Sequence, residues 1–240
     1  MTDELEKINI YTKIAEKDPI KVVAFGSSST QRFMCGMHWF DYVELGFKNY
    51  HSHKVGQFIN SGVSDDSTIQ WLERFDNECA AYCPDLVLFT VGGNDCRLEH
   101  SLKDFRKNLL LIHDKIKAIN SDVVFQTFYP IDLERSTGAW LRIEEYIPVV
   151  RQVAEETGCL LIDTEKRWKP LREYDLDLYR MLLRDFAHLS EFGNMVLGLD
   201  VMRFFNTGLL LKDKQVDYCK DGLIMQYKLD ELNRQKHGEI

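Results

Sequence analysis

Five short apolar runs, at 21–25, 55–59, 86–91, 123–128 and 159–162, are separated by stretches with helical periodicity. In 102–119 the residues Phe105, Leu109, Ile112, Ile116 and Ile119 recur at three- and four-residue spacing among Lys, Arg and Asp, which predicts an amphipathic crossover helix. Residues 147–156 repeat the pattern and end before Gly158, a helix stop. The apolar runs lack strict polar alternation, so they suit strands covered on both faces. The chain therefore predicts an α/β fold, a three-layer α/β/α sandwich around a mainly five-stranded parallel sheet.

At 240 residues a single domain can bury roughly 70–75% of its unfolded surface without disulfides. We read 1–240 as one domain with a core over about 20–210. Residues 164–184, with Trp168, Pro170 and many charges, read as loop and short helix. The extension 211–240 carries Leu223, Ile224, Met225, Tyr227, Leu229 and Leu232, and predicts a terminal helix packed either on the domain or on a second copy in a homo-oligomer.

Thirty basic and 38 acidic residues give a formal charge of −8, with no basic stripe, which argues against nucleic-acid binding. The apolar stretches fall short of the ~20 residues that span a bilayer, so no membrane partner is expected. The acidic start Met1-Thr2-Asp3-Glu4-Leu5-Glu6-Lys7 lacks the form of a secretory signal, giving a cytoplasmic expectation. Cys35, Cys79, Cys83, Cys96, Cys159 and Cys219 show no metal-ligand spacing and read as reduced thiols.

Ligands of open parallel sheets bind outside the carboxyl ends of the strands. Four polar segments fall there: Gly26-Ser27-Ser28-Ser29-Thr30, Asn60-Ser61-Gly62, Gly92-Gly93-Asn94-Asp95 and Asp185-Phe186-Ala187-His188-Leu189. Acyl transfer needs a hydroxyl that loses its proton as it attacks, and donors for the oxyanion that forms. Ser28 precedes a helix-like stretch with Met34, Met37 and Phe40, placing its hydroxyl at a helix start; the bland alternative is that the three serines only cap that helix. His188 has Asp185 three residues earlier, where a carboxylate can orient the ring or cap a helix near Ser190. Gly62 can offer a backbone N–H close to a substrate, and Asn94 a side-chain N–H. The α/β-hydrolase elbow Gly-x-Ser-x-Gly is disfavoured because its last position is Thr30.

On Ser28, Gly62, Asn94 and His188, in that order and spread from about 21 to about 200, the chain resembles the SGNH or GDSL-like hydrolases. The resemblance implies a flavodoxin-like strand order and hydrolysis of a small-molecule carboxylic ester through an acyl-enzyme, with no metal or other cofactor. Ser28 would be the nucleophile, His188 the base and Asp185 its orienter. The amides of Ser28 and Gly62, with the Asn94 side chain, would form the oxyanion hole. Small or short acyl esters, acetyl groups on sugars included, fit this reading. The rivals are an acyltransferase with the same triad, a non-catalytic carbohydrate-binding protein, and a metallophosphoesterase, for which no Gly-Asp-x-x-Asp or Gly-His-x-His run exists.

Two positions depart from the family pattern. Ser27 stands where an Asp usually precedes the nucleophile, and Asp65 where the second glycine of Gly-x-x-Gly is expected. The Asp65-Asp66 pair is expected to put charge near the cleft and limit fatty-acyl substrates, and Asp95 to be structural. Arg32, Phe33, Arg97, Tyr129, Trp140 and Trp168 are the candidate substrate contacts, with Trp140 and Trp168 equally suited to a core. His38, His51, His53, His100, His113 and His237 read as surface residues without partners.

Overall fold

The computed structural model describes residues 8–16, 18–33, 36–51, 56–207 and 213–238, without the side chains of 213–218 and 237. Met34, Cys35, His53, Val55, the start at 1–7 and the His237 side chain lie outside the described residues. In chain order the elements are α1 (Asn9–Ala15), β1 (Ile20–Gly26), α2 (Trp39–His51), β2 (Gly56–Gly62), α3 (Thr68–Glu78), β3 (Leu86–Val91), α4 (Gly93–Arg97), α5 (Leu102–Ala118), β4 (Asp122–Thr127), α6 (Ile143–Thr157), β5 (Leu160–Ile162), α7 (Thr164–Tyr174), α8 (Leu176–Arg180), α9 (Glu191–Phe204) and α10 (Asp213–His237). They fall into two compact units, one of residues 1–33, 54–128 and 133–162, the other of 34–53, 129–132 and 163–240.

The first unit holds the whole sheet, parallel throughout in the order β2-β1-β3-β4-β5. This is the flavodoxin-like order. All six residues of β3 are buried, as a central strand without polar alternation requires. Phe25 and Phe89 stack at 5.8 Å between neighbouring strands, and the Trp71 ring of α3 meets Phe89 edge-on at 4.6 Å. The α5 stripe Phe105, Leu109, Ile112 and Ile116 is buried as its spacing predicts, each side chain contributing about 1.5–3 kcal/mol. Local chemistry sets the helix ends: Ser67 and Gln70 form a capping box on α3, and Gly158 closes α6 at φ +68°.

In the second unit α2 packs on α9, where a Cβ on Gly198 would lie 2.8 Å from the Trp39 carbonyl, so only glycine allows the approach. The 164–184 stretch is more helical than its composition suggests, because the Asp163 and Asp175 carboxylates cap α7 and α8. Residues 213–237 of the extension form α10, which packs on α7 and α9. Arg167 joins these three helices, pairing with Asp200 on α9 and with Asp230 and Gln226 on α10. Trp168 is fully buried and donates to Asp200 at 2.6 Å, so it is a core residue and not a substrate contact. Among the described residues no helix is long and apolar enough to cross a membrane.

Candidate active site

The ends of β1, β2 and β3 gather three of the expected residues in the first unit. Gly26 pairs with Gly62 at the last rung of β1 and β2. Beyond Gly26 the chain does not enter a helix. It makes a tight turn in which the Thr30 and Gln31 amides both donate to the Ser27 carbonyl, at 2.9 and 2.8 Å, and this turn carries Ser28. The helix-start expectation for Ser28 is thereby corrected, since the next helix begins only at Trp39.

Side chains from elsewhere in the unit clamp this turn. Asn60 donates through Nδ2 to the Thr30 carbonyl at 2.7 Å, and its Oδ1 accepts the Gly62 N–H at 3.0 Å. A Cβ on Gly62 would sit 2.2 Å from the Gln31 nitrogen, so glycine is required here for close approach of two backbones. Arg74 of α3 donates to the Gly26 carbonyl at 3.0 Å, pairs with Asp66 and lies 4.3 Å over the Phe25 ring. Burial pushes the Asp66 carboxyl above its usual range, and Arg74 offsets only part of that effect.

Asn94 occupies α4 and is buried. Its Nδ2 donates to the Asp66 carbonyl at 2.9 Å, while its Oδ1 accepts from Arg97 Nε at 3.1 Å. Arg97 also reaches Asp65 Oδ1 at 3.0 Å. Asp65 and Asp66 are thus each paired with an arginine, Arg97 and Arg74. Asp95 is fully buried and accepts from the Thr68 amide and hydroxyl at the start of α3, which is the structural role expected of it.

In the second unit the segment between α8 and α9 presents Asp185 and His188. Both oxygens of Asp185 face His188 Nδ1, at 3.0 and 2.9 Å, and Oδ1 also accepts the Ala187 and His188 amides at 2.9 and 2.8 Å. Burial alone would raise the Asp185 pKa; the two amides and the facing imidazole outweigh it and hold the carboxyl below its usual range. Ser190, not Asp185, caps α9. The loop is fixed at both ends, with Arg184 N bonded to His188 O at 2.8 Å and Asp132 N to Phe186 O at 2.9 Å.

The remaining expected contacts separate. Tyr129 is buried, its hydroxyl donating to the Ala187 carbonyl at 2.8 Å, so it supports the His188 loop and does not face a substrate. Trp140 is half-buried over Phe128, with a ring atom 3.3 Å from where a Gly93 Cβ would lie, next to Asn94. Arg32 and Phe33 are exposed. The surface expectation fails for His38, which is buried with Nδ1 accepting the Phe40 amide, for His100 and His113, which pair with Asp95 and Asp114 at 3.0 Å, and for His51, half-buried against the Phe47 and Tyr50 rings. Asn60, Arg74 and Asp66 are the supports that sequence reasoning missed. Asn60 carried a signal, as a polar residue ending an apolar run, whereas nothing local marks Arg74. Among the described residues no group of three His, Cys, Asp or Glu side chains could hold a metal ion.

A model of the GDSL-like lipase/acylhydrolase family matches residues 24–196. An acetylxylan esterase of Geobacillus stearothermophilus is 26% identical over 194 residues, spanning 75% of this chain and 83% of its own length. Among solved structures, the acetylxylan esterase Axe2 from the same organism superposes with a TM-score of 0.67 at 20% identity, over 78% of this chain and 94% of its own. The acetyl xylan esterase AlAXEase gives 0.66 at 22% identity, over 77% and 99%. LAE5, an alpha/beta hydrolase from the metagenome of Lake Arreo, Spain, gives 0.66 at 19% identity, over 79% and 96%.

Proposed function

The chain belongs to the GDSL-like lipase/acylhydrolase family, and from that premise we propose that it is a serine esterase that removes acetyl or other short acyl groups from sugars, with Ser28 as nucleophile. Ser28 Oγ bonds to the acyl carbon while its proton passes to His188. The imidazolium then protonates the departing sugar oxygen. Water attacks the resulting acyl-enzyme, its proton going to His188, and the carboxylic acid leaves as Ser28 recovers its hydroxyl. In this reading the Ser28 amide and the Asn94 side chain stabilise the oxyanion, while the Gly62 N–H, held by Asn60 Oδ1 at 3.0 Å, would have to be shared to add a third donor, and the missing side chain leaves room for the turn.

The observation that carries the reading is the two-oxygen contact of Asp185 with His188 Nδ1. A carboxylate held ionised there fixes the Nδ1–H tautomer, which leaves Nε2 to accept a proton. The sugar-acetyl assignment draws on the acetylxylan esterases to which the chain is similar. The test combines labelling by a fluorophosphonate with acetate release from acetylated xylo-oligosaccharides and from p-nitrophenyl esters of rising acyl length. Wild type should label and turn over acetyl esters best, and Ser28→Ala should do neither. A Ser28→Ala enzyme that keeps most of its turnover would sink the assignment.

A further inference from the structure

Asn94 is gripped at its two ends by groups of opposite hydrogen-bonding character. Arg97 Nε can only donate, and it meets Oδ1 at 3.1 Å; the Asp66 carbonyl can only accept, and it meets Nδ2 at 2.9 Å. Rotating the amide by 180° would set a donor against Arg97 and an acceptor against the Asp66 carbonyl, losing both bonds. The pair therefore fixes which end of Asn94 carries the N–H groups. One N–H is committed to Asp66, leaving the second for a substrate oxygen.

Arg97 is itself steered. Its Nη2 donates to Asp65 Oδ1 at 3.0 Å, and Asp65 sits at φ +66°, in the left-handed region where Asp is among the few tolerated side chains. The Asp65 side chain is 83% exposed and that of Arg97 36%, so the ion pair adds little to stability. Its geometric effect is larger, because it holds the guanidinium where Nε can reach Asn94. A cationic donor on the amide oxygen also polarises the amide and makes its N–H groups better donors.

We propose that Arg97 is a positioning residue for oxyanion stabilisation, locking and polarising the Asn94 amide while Asp65 holds the guanidinium in place. This rests on the reading of Asn94 as an oxyanion donor. It replaces the expectation that Arg97 binds substrate directly, and the two differ in kinetics: a substrate contact acts on KM, whereas a group that tunes the hole acts on kcat.

The test is steady-state hydrolysis of p-nitrophenyl acetate by wild type, Arg97→Met, Arg97→Lys, Asp65→Gly, Asn94→Ala and the Arg97→Met/Asn94→Ala double variant, with circular dichroism and melting curves as fold controls. Arg97→Met should lower kcat roughly tenfold, short of the ~10²–10³ expected for loss of a whole oxyanion donor, and leave KM within about twofold. Arg97→Lys should recover part of kcat, and Asp65→Gly, which suits the backbone, should cost a few-fold in kcat. In the Asn94→Ala background Arg97→Met should cost less than about twofold, since the amide it serves is gone. An unchanged kcat in Arg97→Met, a rise confined to KM, or a full multiplicative loss in the double variant would overturn the proposal while leaving the oxyanion role of Asn94 intact. Wild-type kcat in Asn94→Ala would instead overturn that role and the proposal with it.

Discussion

Asn60 accepts the Gly62 N–H through its own Oδ1 at 3.0 Å, so the amide assigned to the oxyanion hole already has a partner within its own strand. The same side chain donates to the Thr30 carbonyl at 2.7 Å, and one residue thereby fastens the end of β2 to the turn that carries Ser28. The order of that turn is a matter of the sheet edge as much as of the turn's own sequence.

Asn60→Ala and Asn60→Asp separate these two functions. Aspartate can still accept from Gly62 but cannot donate to Thr30, whereas alanine does neither. If the Thr30 bond orders the turn, both variants should lower kcat several-fold. Alanine should cost about 1–3 kcal/mol from groups left unpaired, which in a chain of this length lowers Tm by roughly 2–4 °C per kcal/mol. Calorimetry with kcat and KM for each variant checks this, and a wild-type kcat in Asn60→Asp would remove the Thr30 bond from the account.

Gly62 and Gly93 should respond differently to alanine. At Gly62 the new methyl would meet backbone, 2.2 Å from Gln31 N and 2.4 Å from Thr30 C, so β2 or the Ser28 turn must move. At Gly93 it would meet only the rings of Phe128 and Trp140, at 3.0 and 3.3 Å, which can tilt. Gly62→Ala should lose most activity and melt clearly lower, by about 2–3 kcal/mol as overpacking does, while Gly93→Ala should keep most of both. Melting curves and p-nitrophenyl acetate turnover on the two variants decide it.

Arg74→Met removes the cation that faces Asp66 and the donor on the Gly26 carbonyl. A buried carboxylate already pushed up by burial would then rise further. A carboxyl raised in the folded state binds its proton more tightly there, so its cost is felt at neutral pH and relieved as the pH falls through the raised folded value. The variant should be less stable than wild type by about 3 kcal/mol near pH 7, with the gap narrowing towards pH 4. Chemical denaturation at several pH values tests the sign: a gap that widens on acidification would exclude Asp66 as its source.

Much of the sheet could be read from apolar runs alone. The expected 86–91 run is β3 to the residue, and the expected 123–128 run is β4 displaced by one. The runs that failed at an edge did so for backbone reasons. The apolar part of β2 ends at Ile59, yet pairing continues through Asn60 and Ser61 to Gly62 because β1 offers rungs up to Gly26. α6 begins at Ile143, not 147, and runs through Pro148, which lies past its first turn and leaves the Glu144 carbonyl without its intrahelical donor. The polar segments holding Ser28, Gly62 and Asn94 could be located because the apolar runs of β1, β2 and β3 stop at or just before them. Arg74 could not, as its value lies in reaching a carbonyl 48 residues away. Tyr129 was misread because its aromatic ring at a strand end suits both a pocket wall and a buried strut, and only its bond to Ala187 distinguishes them.

Asp185→Asn tests the charge at the centre of the proposed mechanism. The wild-type carboxyl is held below its usual range, against burial, by the Ala187 and His188 amides and the facing ring. A depressed carboxyl stabilises the fold above its unfolded value of about 4, and that contribution is lost as the pH falls through the lower folded value. Asparagine keeps the shape and can still accept one amide, but carries no charge. The variant should therefore melt below wild type at neutral pH, and the two curves should converge below about pH 4. Activity should fall much further than stability, by up to about 10⁴ in kcat, because the amide can also hold the imidazole in the wrong tautomer. Melting temperatures from pH 2.5 to 7 and kcat on p-nitrophenyl acetate give both readouts from one preparation. A folded Asp185→Asn enzyme with near wild-type kcat would show that His188 does not depend on this carboxylate, and the orienting role would have to be given up.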